Sequence, residues 1–221
     1  MIRNTEECEN VEKNVMTPIF LSPRDRKIVI FGGGKVALRK CMHFYGFRMI
    51  VVADEVLPEI EGMASEVVKR HIDPGSVEEM IIGSDIVIAA TNDKKLNDSI
   101  RDIAFRAGIA VNSAHGGGDV LIPSVLRKDK YTVAVSTEGK VPAFPPYIIN
   151  ILDDFLDESY DLMMDLLIYL RALIKVQIPT QTERAKYLEI VLNDHNIWRD
   201  LRDGNLESAK KYALKIGGLK A

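Results

Sequence analysis

Three consecutive glycines, Gly32-Gly33-Gly34, separate an apolar run from a helix-forming run in this 221-residue chain, and no other feature restricts the fold as much. Lys27-Ile-Val-Ile-Phe31 has the length and β-branched content of a buried strand. Lys35–Tyr45 has helical spacing, with Ala37, Cys41 and Tyr45 falling on one face at i, i+4 and i+8. Residues without side chains between the two predict a tight turn directly from strand to helix.

The alternation continues down the chain. Met49–Ala53 reads as a second strand ending at Asp54, Ser65–Arg70 as a third and Asp85–Ala90 as a fourth. Lys94–Ala107 reads as a helix with Leu96, Ile100, Ile103, Ala104 and Ala107 at core spacing, and Ile109–Asn112 as a fifth strand. Strands alternating with helices of this length predict a parallel sheet covered on both faces. The pattern then changes: Gly116–Gly118 is a glycine loop, Val120–Pro123 and Tyr131–Ser136 read as strands, and Val141–Pro146 breaks the order. From Tyr147 the chain is helical in character, interrupted at Ile178-Pro179, and Glu183–Ile216 predicts two helices with a turn around Asp203-Gly204. The expected fold class is α/β: a Rossmann-like parallel sheet over residues 1–112, a small mixed region over 113–146 and a helical domain over 147–221.

Composition excludes several classes. Hydrophobic residues make up 47% and charged residues 28%, a globular balance, and a net charge of −3 with no long basic run argues against a nucleic-acid partner. Two cysteines, Cys8 and Cys41, do not make a disulfide framework, and no His/Cys/carboxylate cluster has metal-ligand spacing. Met1–Asn14 is polar and lacks the apolar core of a secretory signal. Leu162–Val176 is interrupted by Asp165 and Arg171 and falls short of the roughly 20 apolar residues of a bilayer span. The expectation is a cytoplasmic protein with no membrane contact.

Gly32-Gly-Gly-Lys-Val-Ala37 fits the G-x-G-x-x-G/A pattern of a dinucleotide site, in the required place after a strand and at the head of a helix. Gly32 allows the turn, Gly34 lets a pyrophosphate approach the backbone at Lys35 and Val36, and Ala37 permits close helix–strand packing. Asp54, 22 residues after Gly32, stands where a carboxylate accepts from the adenosine ribose, which favours NAD over NADP; Glu55 could take the role instead. A bare strand–helix connection is the competing reading of the glycines. Thr91 and Asn92, after the fourth strand, could touch the nicotinamide half, and Thr91-Asn-Asp93 also suits a helix cap before Lys94.

Taken in order, Pro18-Ile-Phe-Leu21, Gly32–Lys40, Ala89-Ala-Thr-Asn-Asp93 with Leu96-Asn97, Val111-Asn112, Ile122-Pro123 and Ser136-Thr-Glu-Gly-Lys-Val-Pro142 resemble the precorrin-2 dehydrogenases, the N-terminal module of siroheme synthases and its stand-alone relatives. The resemblance spans about Met16 to Pro142. It implies NAD-dependent oxidation of precorrin-2 to sirohydrochlorin, a central dimerisation region, a helical C-terminal region and a homodimer, with Asn112 beside the cofactor. Some relatives also insert ferrous iron. No methyltransferase module is expected after Ala221.

The chain departs from that pattern twice. Relatives carry an aspartate in Asn-x-x-Asp after the residue matching Asn112; here His115 stands there, and Asp119 follows the glycine loop. Relatives have a serine before the proline matching Pro142 and a basic residue soon after; here Val141 precedes and Phe144-Pro-Pro146 follows. The oxidation needs a proton acceptor, and His115, whose side-chain type changes charge near neutrality, is the first candidate, with Asp119 the alternative and a plain surface-loop histidine the competing reading. His43, His71 and His195 have no such setting. The substrate is rich in carboxylates, so Arg39, Lys40, Arg127, Lys128, Lys130 and Lys140 are candidate partners, with Ser136 and Thr137 beside them. The competing functions are a bifunctional dehydrogenase and ferrochelatase, and a non-catalytic NAD-binding sensor.

Overall fold

A computed structural model describes residues 16–220. The chain divides by its internal contacts after Ile122.

The first unit is built on β1 (Lys27–Phe31), α1 (Lys35–His43), β2 (Arg48–Ala53), α2 (Pro58–Glu61), β3 (Glu66–Lys69), α3 (Pro74–Ile81), β4 (Ile86–Ala89), α4 (Lys94–Arg106) and β5 (Ala110–Ser113). The strands are all parallel, in the order β3-β2-β1-β4-β5. Strand side chains alternate between faces, and the two cores show it. Ile28 and Ile30 pack with Ala37, Cys41 and Ile60 on the α1–α2 face; Val29 and Phe31 pack with Val77, Ile81, Ile100 and Ala104 on the α3–α4 face. Cys41 behaves as a small apolar group, since burial pushes its thiol up to about 11. Tyr45, expected on the same face, lies beyond the end of α1 and is exposed, as is Ala107 after α4.

After β5 the chain doubles back on the edge of the sheet. Val120 donates its N–H to the Val111 carbonyl at 3.1 Å, and Asn112 Nδ2 donates to the Val120 carbonyl at 2.8 Å. The expected strand Val120–Pro123 is therefore absent: Val120 is held by β5, and Pro123 has no N–H to give a ladder.

In the second unit the hairpin is β6 (Ser124–Arg127) against β7 (Thr132–Val135). Helix α5 (Phe144–Phe155) begins earlier than expected, because Pro145 and Pro146 fall in its first turn, where a missing N–H breaks no helical bond. Lys128 pairs with Asp153 at 2.7 Å and Lys130 with Asp165 at 3.2 Å, which joins the hairpin to α5 and to α6 (Glu158–Gln177). The remaining segment holds three helices, not two: α7 (Gln181–Asn193), α8 (His195–Arg202) and α9 (Leu206–Gly217). Asp194 makes the extra break by capping α8, accepting from the Asn196 and Ile197 N–H groups. Met163, Leu166, Leu170 and Ile174 form the buried stripe of α6, packed against Tyr187, Val191, Ile197, Leu201 and Ala213. Cys8 and the leader Met1–Asn14 lie outside the described residues. Among those described, no helix is long and apolar enough to cross a membrane.

Candidate functional site

The parallel sheet reverses direction of growth at β1: β2 and β3 lie on one side, β4 and β5 on the other. Ligands of such sheets bind at the carboxyl ends of the strands beside this reversal. Gly32 stands there, with φ +117°, and a Cβ on it would fall against the Ala90 carbonyl group, 2.7 Å from its carbon. A Cβ on Gly33 would fall onto the Glu55 carbonyl oxygen, so Gly33, which sequence reasoning left without a role, is the most tightly enclosed of the three. Gly34 has nothing within 4 Å of an added Cβ and opens to solvent.

The first turn of α1 begins at Gly34, which contributes no side-chain cap, and it contains no acidic residue. Its leading N–H groups and positive dipole end are open to an anion. Lys35 is exposed and Val36 half-buried beside them, and buried Ala37 brings the helix close to the sheet. These residues fit a dinucleotide pyrophosphate: two glycines the fold cannot fill, one with open space, and an uncapped helix start.

Asp54 follows β2 and is exposed. His71, after β3, places Nδ1 3.2 Å from Asp54 Oδ2. Sequence reasoning gave His71 no setting; only the parallel pairing of β2 with β3 brings the two strand ends together.

Beyond β4, Asp93 caps α4 by accepting from the Lys95 and Leu96 N–H groups. The Thr91 hydroxyl turns inward to Asn97 Oδ1 at 2.7 Å, leaving exposed Asn92 as the more accessible of the expected pair. Asn97, fully buried, also donates to His115 Nδ1 at 2.8 Å. Buried Asn112 retains an Oδ1 with no hydrogen-bond partner, an unmet acceptor at the end of β5. Asp119 Oδ1 accepts from the Val111 N–H at 2.6 Å, so this carboxylate braces the loop with one oxygen and has Oδ2 remaining. The loop can close this way because Gly118 lies against the Val111 carbonyl where no Cβ would fit.

Of the candidate substrate partners in the first unit, Arg39 is exposed and Lys40 half-buried. Burial first, then the charge of Arg39, holds the Lys40 ammonium below the usual lysine range. In the second unit Lys140 and Arg127 are exposed, while Lys128 and Lys130 are engaged by carboxylates. The Ser136 hydroxyl accepts from the Glu138 N–H, and the Thr137 hydroxyl bonds the Val141 backbone, so both shape the turn after β7.

Comparison with known proteins agrees with this geometry. Residues 19–124 match the NAD_binding_7 family model, described as "Putative NAD(P)-binding". A precorrin-2 dehydrogenase of Methanosarcina barkeri is 31% identical over 91% of this chain and 94% of its own length. A siroheme synthase of Psychrobacter cryohalolentis is 29% identical over 79% of the chain but only 34% of its own length, so the chain spans about a third of that protein. A solved structure titled SirC, precorrin-2 dehydrogenase, superposes with a TM-score of 0.69 at 24% identity, covering 90% of this chain and all of that one, a likeness of fold. The glycine turn at the sheet reversal and the near full-length match to the Methanosarcina barkeri protein lead to one assignment: the chain belongs to the precorrin-2 dehydrogenase family.

Proposed function

We propose that this protein oxidises precorrin-2 to sirohydrochlorin with NAD. The observation that carries the reading is the turn at Gly32–Gly34, enclosed by Ala90 and Glu55 on one side and open at the head of α1 on the other. In a family member this is the pyrophosphate seat. The backbone at Lys35 and Val36 holds the phosphates, Asp54 the adenosine ribose, and Asn92, Thr91 and Asn112 border the nicotinamide.

When bound, NAD supplies a hydride acceptor. The substrate loses two hydrogens, one as that hydride and one as a proton, and His115 and Asp119 are the titratable groups of the loop beside β5 that can meet the proton. Arg39, Lys40 and Lys140, with Ser136 and Thr137 shaping the turn that presents Lys140, are the partners for the substrate carboxylates. At Lys40 a carboxylate would offset both the burial and the Arg39 repulsion that disfavour its charge.

A homodimer in the cytoplasm completes the proposal. Phe144, Tyr147, Ile151 and Phe155 are between 45% and 63% exposed and recur on one face of α5. A two-stranded hairpin is marginal by itself, and β6–β7 with this stripe suits pairing with a second copy. Light scattering on Ile151→Glu checks this: a monomer is expected, and an unchanged mass removes α5 from the interface.

The test of the activity is incubation of purified protein with precorrin-2 and NAD, with and without ferrous ion. NADH and the sirohydrochlorin spectrum should rise together without metal. NAD binding with neither product would make the chain a nucleotide sensor, and metal consumption without NAD would make it a chelatase.

A further inference from the structure

Every hydrogen-bonding position of the Asn97 side chain is in use. Oδ1 accepts from the Thr91 backbone N–H at 3.1 Å and from the Thr91 hydroxyl at 2.7 Å; Nδ2 donates to the Thr91 carbonyl at 2.9 Å and to His115 Nδ1 at 2.8 Å. The two ends of an amide are told apart by their partners. Two partners here are backbone groups with fixed roles, since an N–H only donates and a carbonyl only accepts. Oxygen must face the Thr91 N–H, and nitrogen must face the Thr91 carbonyl. The second N–H of that nitrogen then points at His115, so Nδ1 must present a lone pair. A neutral imidazole with bare Nδ1 carries its hydrogen on Nε2. A hydrogen on Nδ1 would oppose the Asn97 N–H, donor against donor.

We infer that Asn97 is a positioning residue that fixes His115 as an Nε2–H donor, so that His115 offers the tetrapyrrole a hydrogen bond and leaves proton removal to Asp119. The chemical half rests on the dehydrogenase reading; the tautomer does not. The substrate supplies acceptors for such a donor in its carboxylates. In the oxidation, one substrate hydrogen leaves with its electron pair to NAD, giving NADH, and the other leaves as a proton to Asp119 Oδ2. Asp119 is suited to this because only its Oδ1 is committed, to the Val111 N–H. Asn97 reaches His115 because the sheet puts the head of α4 beside the end of β5, and the amide itself is completely buried, which holds it in one orientation.

The test is long-range ¹⁵N–¹H correlation at pH 8 on the full chain labelled at histidine, with the His115 signals assigned by their loss in His115→Gln. The wild type should show the Nε2–H pattern. Asn97→Ala should replace it by an averaged mixture of the two tautomers. An Nδ1–H pattern or an averaged one in the wild type overturns the inference, and that measurement needs no variant to fold. Turnover separates donor from base. His115→Gln, whose amide can hold an N–H near the Nε2 position, should stay within about tenfold of wild type, while His115→Ala falls ~100-fold or more. Equal losses in both variants make His115 the base and overturn its donor role. If the wild type yields no NADH from precorrin-2, the dehydrogenase reading fails by itself, and the tautomer pattern still decides the role of Asn97.

Discussion

Gly32 and Ala90 meet where the sheet reverses: the turn after β1 rests on the carbonyl of the residue that follows β4, with no space for a methyl group between them. Gly34, two residues on, faces open space. Neighbouring glycines of one motif thus serve different ends, the first the fold and the last the ligand.

Alanine substitution should separate them. Gly32→Ala introduces both a clash and a backbone angle, φ +117°, that side chains avoid, and is expected to cost at least ~2 kcal/mol of stability. Gly34→Ala has ordinary angles and free space, and should stay within about 1 kcal/mol of wild type while weakening NAD binding. Chemical denaturation with NAD titration reads both; normal NAD affinity in Gly34→Ala would move the pyrophosphate elsewhere.

Asp54 accepts from the ribose in the proposed complex, and its removal should act on binding. Asp54→Ala is expected to raise KM for NAD by roughly tenfold or more, with kcat nearly unchanged and a shift of preference toward NADP. His71→Ala should leave stability almost untouched, because the Asp54–His71 pair is exposed on both sides. Steady-state kinetics with both nucleotides checks the first claim, and an unaltered KM would give the role to Glu55.

Lys40 makes a prediction with a sign. Burial lowers its pKa in the folded state, so folding is opposed by the buried charge at all pH values below that lowered value, and the opposition fades as pH rises toward the ordinary lysine value of 10.5. Lys40→Met should therefore be more stable than wild type at neutral pH, by a margin that shrinks in alkali. Urea melts at a series of pH values measure this; a margin independent of pH would assign the gain to packing.

Tyr187 titrates in the second unit. Its hydroxyl donates to the Ala213 carbonyl at 2.8 Å, and burial pushes its pKa up from 10.0 to about 12. A raised value for an acid favours the neutral form, so its contribution is whole below pH 10 and is lost as pH climbs through about 12. Tyr187→Phe should cost about 1 kcal/mol at neutral pH and flatten that alkaline loss. Gly217→Ala tests the same spot by volume, since its Cβ would stand 2.5 Å from the Tyr187 ring.

The nucleotide half was legible because its signals are local. An apolar run, a glycine turn and an amphipathic helix occupy fewer than twenty consecutive residues from Lys27 to His43, and the alternation of the first unit repeats them. Where the reading failed, short-range signals had been overridden. Val120–Pro123 has the composition of a strand but is bonded back to β5, and Pro145-Pro146 looks like a break but opens α5. Asp194 caps α8 and divides the first of the two helices that the spacing predicts over Glu183–Ile216. The missed site residues depend on strand pairing: His71 lies 17 positions from Asp54, and Asn97 lies 18 from His115, distances across which no periodicity speaks.

The return of residues 114–120 over β5 has a consequence for colloidal behaviour. An unpaired outer strand can recruit the strand of another molecule, and here Val111 already has its N–H taken by Asp119 and its carbonyl by Val120. The segment that carries His115 and Asp119 therefore also covers the β5 edge of the sheet. Shortening it to remodel the chemistry would uncover the outer edge of β5 and favour pairing between molecules there.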